Sequence, residues 1–128
     1  EEMGLICFNS TASLAADRAY QRTIPAGDDF FPSPSDFVYT LPNIVTGEIA
    51  IRHHIQGETA FYVLRAFNPE TICHIVRETI ADADLHRAFV GWIDIDTDRL
   101  DARAVLCVDR PHGNSPELTP EALLQLFP

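Results

Sequence analysis

The chain has 128 residues, a net charge of -10 and 46% hydrophobic residues, which suits one domain with a real core. So acidic a molecule is repelled by phosphate backbones and anionic lipid, so neither nucleic acid nor a membrane is an expected partner. No apolar run approaches the roughly 18 residues that cross a bilayer. The opening EEMGLICFNS has no basic stretch of the kind that starts a signal peptide, so a cytoplasmic location is expected. The three cysteines, Cys7, Cys73 and Cys107, are widely spaced among apolar neighbours. They read as buried small hydrophobes in a reducing compartment.

In chain order, MGLICFN (3–9) reads as a buried strand. SLAADRAYQRTI (13–24) reads as a helix with Ser13 as N-cap. GDDFFPSPSDF (27–37) reads as a loop, because Pro32 and Pro34 oppose regular structure, and its three Phe suggest that it is pressed onto an apolar surface. LPNIVTGEIAIRHHIQG (41–57) predicts a buried helix with Pro42 in its first turn and Gly57 at its stop. Gly47, in its middle, predicts a close neighbour.

AFYVLRAF (60–67) is apolar on both sides except for Arg65, as a central strand would be. Asn68-Pro69-Glu70 starts a helix running to about Leu85, with Asn68 as cap and Pro69 in the first turn. AFVGWIDID (88–96) and ARAVLCVD (102–109) are strands joined by a short turn, and the unbroken apolar core of the second predicts burial on both faces. Thr119-Pro120-Glu121 caps a last short helix. The order β-α-loop-α-β-α-β-β-α argues for a single α/β domain over 1–128, with a mixed sheet flanked by helices.

Candidate chemistry is sparse. His53 and His54 are adjacent on a helix and diverge by about 100°, so they cannot share a metal as an i, i+4 pair can. DIDTDRLD (94–101) opens like a calcium loop but has Arg99 at the sixth position and Val105 at the twelfth. Asp94 and Asp96 then read as one solvated strand face. Asn9-Ser10-Thr11 is a glycosylation pattern without a secretory signal. Cys73 lies near a helix start but beyond the first turn, where the dipole that would activate a thiol has faded. No metal site and no cofactor is expected.

The run FFPSPSDFVYTLPNIVTGEIAIRHHIQGETAFYVLRAF resembles the N-terminal half of β-ketoacyl synthases, which have the thiolase-like fold. That family has a Pro- and Phe-containing loop, a PN…G…I helix and a turn, matched here by Gly57-Glu58-Thr59. An apolar strand follows, carrying a nucleophilic Cys at a strand-to-helix elbow. DARAVLCVD and GLICFNSTASL also find counterparts, so the resemblance spans about residues 4–110. It implies a thiolase-like half-fold. The elbow falls at Ala66, Phe67 and Asn68, none of which is a nucleophile. The family's C-terminal half, with its catalytic His residues and Lys, has no counterpart.

The resemblance therefore implies a scaffold without the condensing reaction, which needs a thiolate and its supporting groups. In the family the strand before the nucleophile pairs with its twin across a dimer axis. That implies a dimer strand here at Ala60, Phe61, Tyr62, Val63, Leu64 and Arg65. The partner would be a second copy or an active ketosynthase, in fatty-acid, polyketide or aryl-polyene synthesis. One alternative is a fragment of an active synthase, an acyltransferase completed by another chain. Another is a module that binds an acyl chain or acyl carrier protein in a remnant pocket near Phe30, Phe31 and Phe37.

Overall fold

The structure is a computed structural model and describes residues 3–25, 27, 31–110 and 113–127. The elements are β1 (Met3–Asn9), α1 (Leu14–Gln21), α2 (Pro34–Val38), α3 (Ile44–His53), β2 (Thr59–Val63), α4 (Pro69–Asp82), β3 (Arg87–Asp96), β4 (Arg99–Val108) and α5 (Pro120–Leu126). They form a mixed α/β domain around a four-stranded sheet in the order β2-β1-β3-β4. β1 is parallel to both β2 and β3, and β4 is antiparallel to β3.

Strand alternation sorts the core onto two faces. Ile6 and Phe8 of β1, with Ala88, Val90 and Trp92 of β3, pack under Ile72, Cys73 and Val76 of α4 and Leu123 of α5. The opposite face, with Leu5, Cys7 and Phe61, lies on the side of α1 and α3. Four consecutive residues of β1, Leu5 to Phe8, are wholly buried, as expected of a strand covered on both faces. α4 starts as its sequence predicts: Asn68 Oδ1 accepts from the Thr71 N–H at 3.0 Å and Pro69 occupies the first turn. α5 repeats the device with Thr119 and Ala122.

Several sequence expectations are corrected. β2 ends at Val63, so Leu64 to Phe67 are irregular, and it lies at the edge of the sheet rather than its centre. Its apolar content comes from stacking, as Tyr62 lies on Phe8 with ring centroids 5.4 Å apart. β4 is the other edge, and its residues alternate in exposure instead of being buried on both faces. The turn before it is shorter than read, so β4 begins at Arg99. α4 stops at Asp82.

Pro34 does not prevent structure: with Ser33 as N-cap it opens the short helix α2, where a missing N–H does no harm. α3 is shorter than the stretch 41–57 and ends in a left-handed residue at His54, before Gly57 is reached. It is not a buried helix. Only Thr46 is buried along it, and Ile51 is 76% exposed. Nothing lies within 4 Å of where a Gly47 side chain would begin.

Gly57 does have a close neighbour. A Cβ there would stand 2.5 Å from the Met3 carbonyl oxygen, because the chain entering β2 crosses directly beside the start of β1. Gly57→Ala is expected to lower unfolding stability by about 1–3 kcal/mol. Gly47→Ala, filling open space on a helix, should raise it by up to about 1 kcal/mol. Urea unfolding of the two variants beside the parent chain checks both signs.

Candidate functional site

In open α/β sheets, ligands gather at the carboxyl ends of parallel strands, where successive connections leave in opposite directions. Here the chain passes from β1 to β2 on one side and then from β2 to β3 on the other, so that place lies between the ends of β1 and β3. It is occupied by the protein itself. Asp94 accepts four hydrogen bonds: from the Ser10 N–H at 2.8 Å, the Ser10 hydroxyl at 2.7 Å, the Thr11 N–H at 3.1 Å and the Thr11 hydroxyl at 3.0 Å. Asn9, buried, donates to the Ala12 carbonyl at 2.7 Å and accepts from the Ala12 N–H at 3.0 Å. These bonds hold Ala12 in the left-handed region at φ 50°. Asp94 is therefore a clasp on the loop after β1, not part of a solvated face; Asp96 beyond it pairs with Arg18 at 3.2 Å.

Partial burial works to raise the Asp94 carboxyl, but the four donors outweigh it and hold the group below its usual 3.8. Ser10 and Thr11 spend their hydroxyls on this carboxylate, and no histidine takes part in these bonds. The cluster is structural in its chemistry.

The elbow lies alongside. The Leu64 N–H donates to the Asn9 carbonyl at 2.8 Å, and the chain then turns through Arg65 and Ala66 into the cap at Asn68. Ala66 and Asn68 are exposed. Phe67 turns inward, edge-on to Trp92 at 5.3 Å and tilted against Phe127 at 5.8 Å, with the Arg103 guanidinium 5.9 Å above its ring. An aromatic plug thus follows β2.

None of the three cysteines is in a disulfide. Burial pushes Cys7 up to about 11, and burial with a smaller contribution from Cys73 does the same to Cys107. Cys73 is raised by burial and by Glu121, partly offset by Arg77. All three are protonated thiols at neutral pH, as inert packing groups are. Among the described residues no three His, Cys, Asp or Glu side chains are grouped to hold a metal, and no helix is long and apolar enough to cross a membrane.

Two apolar depressions lie among the described residues. A groove of about 160 Å³ lies beside the Asp94 clasp, walled by Ala15 and Ala16 of α1, Ile44 and Val45 of α3, Phe61, and Ile93. Phe31 and Phe37 are not among its lining residues: Phe31 is 93% exposed, and Phe37 meets Tyr20 edge-on at 6.0 Å. Phe30 lies outside the described residues. A wider groove of about 810 Å³ runs between α4, α5, the end of β4 and residues 115–118.

The six residues Ala60 to Arg65 divide at Val63 into strand and turn. Their backbone directions follow from two bonds. The Glu58 carbonyl accepts from Leu5 and the Leu64 N–H donates to Asn9, so the even-numbered residues face β1. Thr59, Phe61 and Val63 consequently turn their N–H and C=O groups to the free edge.

No known protein family, curated protein or solved structure matches the chain.

Sequence reasoning missed the Asp94 clasp. Its only signal was Asn9-Ser10-Thr11 at the end of a buried strand, which becomes legible once β1 is known to lie beside β3. Asp94→Ala should lower stability by about 1–3 kcal/mol at neutral pH, since charge-assisted hydrogen bonds are lost. A carboxyl held low in the folded state contributes fully above its unfolded value and loses that contribution as pH falls through the folded one. The stability gap between parent and variant should therefore be constant near pH 6–7 and close only below the usual 3.8. Unfolding curves across that range check this.

Proposed function

We propose that the chain is a ketosynthase-like scaffold that does not itself perform the condensing reaction and acts by pairing through the free edge of β2. The partner is a second copy or an active ketosynthase of a fatty-acid, polyketide or aryl-polyene route. The observation that carries this reading is the location of β2: the strand before the elbow lies at the sheet edge with three residues' backbone groups turned outward. An uncovered edge of apolar residues is a template for another strand. The elbow supports the other half of the reading. Ala66, Phe67 and Asn68 supply no nucleophile, and the chain's thiols are held protonated. Condensation needs a thiolate there to carry the acyl chain.

A second reading, an acyl-chain binding module, is favoured by the apolar groove between α1, α3 and the sheet. It ranks lower because that groove, at about 160 Å³, is small beside the ~300–1,000 Å³ of ordinary ligand pockets. The net charge of -10 also opposes direct docking of an acidic carrier protein.

Val63→Pro removes an outward N–H without touching the ladder to β1, so the fold should survive. Light scattering of the eluted species should show the assembly mass of the parent cut by half or more in the variant. A parent chain that is monomeric at micromolar concentration, or a variant of unchanged mass, overturns pairing with a second copy.

A further inference from the structure

The second edge of the sheet carries a more specific instruction. β4 is ten residues long and contains no proline. It thus lacks one of the devices that usually blunt an edge. The Asp109 N–H donates to the His86 carbonyl, which fixes the phase of the hairpin. Odd-numbered residues of β4 turn their backbone groups to β3, and Leu100, Ala102, Ala104 and Leu106 turn theirs outward. The side chains of these four also form an exposed apolar stripe, with Leu100 at 70% and Leu106 at 57% exposure. On the other face Arg103 grips Asp101 with two bonds, at 2.7 and 2.8 Å, and Arg99 reaches the same carboxylate at 3.5 Å.

We propose that β4 pairs antiparallel with β4 of a second copy, in the register that sets Ala102 opposite Ala102 across a two-fold axis. The register follows from charge together with strand length, since a register centred on Leu100 also opposes Asp101 to Arg99 but pairs only three residues of β4. A two-fold axis perpendicular to a continuous sheet allows only registers centred on a residue, because paired residues share a face. Centred on Asp101, the register opposes two carboxylates. Centred on Arg103, it opposes two guanidinium groups. Centred on Ala102, it places Asp101 of each copy opposite Arg103 of the other, closing a ring of four alternating charges. Those pairs fall at the non-hydrogen-bonded positions, where side chains approach most closely. At that distance the local pairs outweigh the overall repulsion of two acidic molecules, which salt screens over about 8–10 Å.

Two further features suit this register. Pairs 100–104, 102–102 and 104–100 each exchange two backbone hydrogen bonds, and the residue on the axis is small. The pairing also runs only from Arg99 to Val105. It leaves out Leu106 to Asp109, which together with Val105 wall the wide groove opposite residues 115–118. A register centred on Ala104 would carry the incoming strand into that stretch and leave Asp101 without an opposed charge.

This interface is independent of β2. With both edges free, two isologous contacts on opposite sides of one sheet build assemblies longer than a dimer. Val63→Pro limits them to the β4 dimer, so the test is run in that background. Cα atoms of a hydrogen-bonded antiparallel pair lie about 5.5 Å apart, within disulfide reach. Under mild oxidation Ala102→Cys should give a covalent dimer at least about tenfold faster than Ala104→Cys, whose counterpart is offset along the strand. In the reduced protein, Asp101→Arg should abolish the dimer. Equal cross-linking at the two positions, a monomer in the Val63→Pro background, or a dimer that persists in Asp101→Arg overturns the proposal.

Discussion

Both parallel pairings of the sheet pass through β1, and the remaining structure is arranged around keeping that one strand dry. Leu5 to Phe8 are sealed between two helical sides. Burial of that strand is what aligns β2 and β3, because each finds its register on the backbone of β1. It also explains the clasp at its end. A buried strand must emerge with its polar groups satisfied. Asn9, Ser10 and Thr11 achieve this against Ala12 and Asp94.

The same arrangement decides what the molecule can do chemically. The carboxyl ends of β1 and β3 would be the natural place for a ligand, and an internal carboxylate fills it. The turn after β2 would be the natural place for a nucleophile, and Phe67 plugs the space beside it against Trp92 and Phe127. Two positions suited to chemistry are thus closed by ordinary packing and hydrogen bonding. Within the sheet, among the described residues, the backbone groups left without a strand partner lie along the two edges, β2 and β4.

Much of the element order was legible because its signals are local. MGLICFN is a strand over the span its apolar run marks, and Asn68-Pro69 and Thr119-Pro120 cap helices through side chains within three residues of the bonds they make. What could not be read depends on neighbours distant in the chain. An apolar strand looks central in isolation, yet β2 is an edge whose Tyr62 is covered by Phe8. The apolar residues of α3 suggest burial, yet Ile51 faces outward. Asp94 looked solvated because its four donors lie more than eighty residues away.

The central claim is that this chain works through strand edges rather than through chemistry at the elbow. Amide hydrogen exchange, followed residue by residue across protein concentration, tests it most directly. The N–H groups of Phe61 and Val63 have no partner within the sheet by the phase of β2, so in an isolated chain they exchange freely while that of Leu64 is protected. The account predicts that their protection rises with concentration toward that of Leu64. Exchange at Phe61 and Val63 that stays fast and independent of concentration, with Leu64 protected throughout, would contradict it.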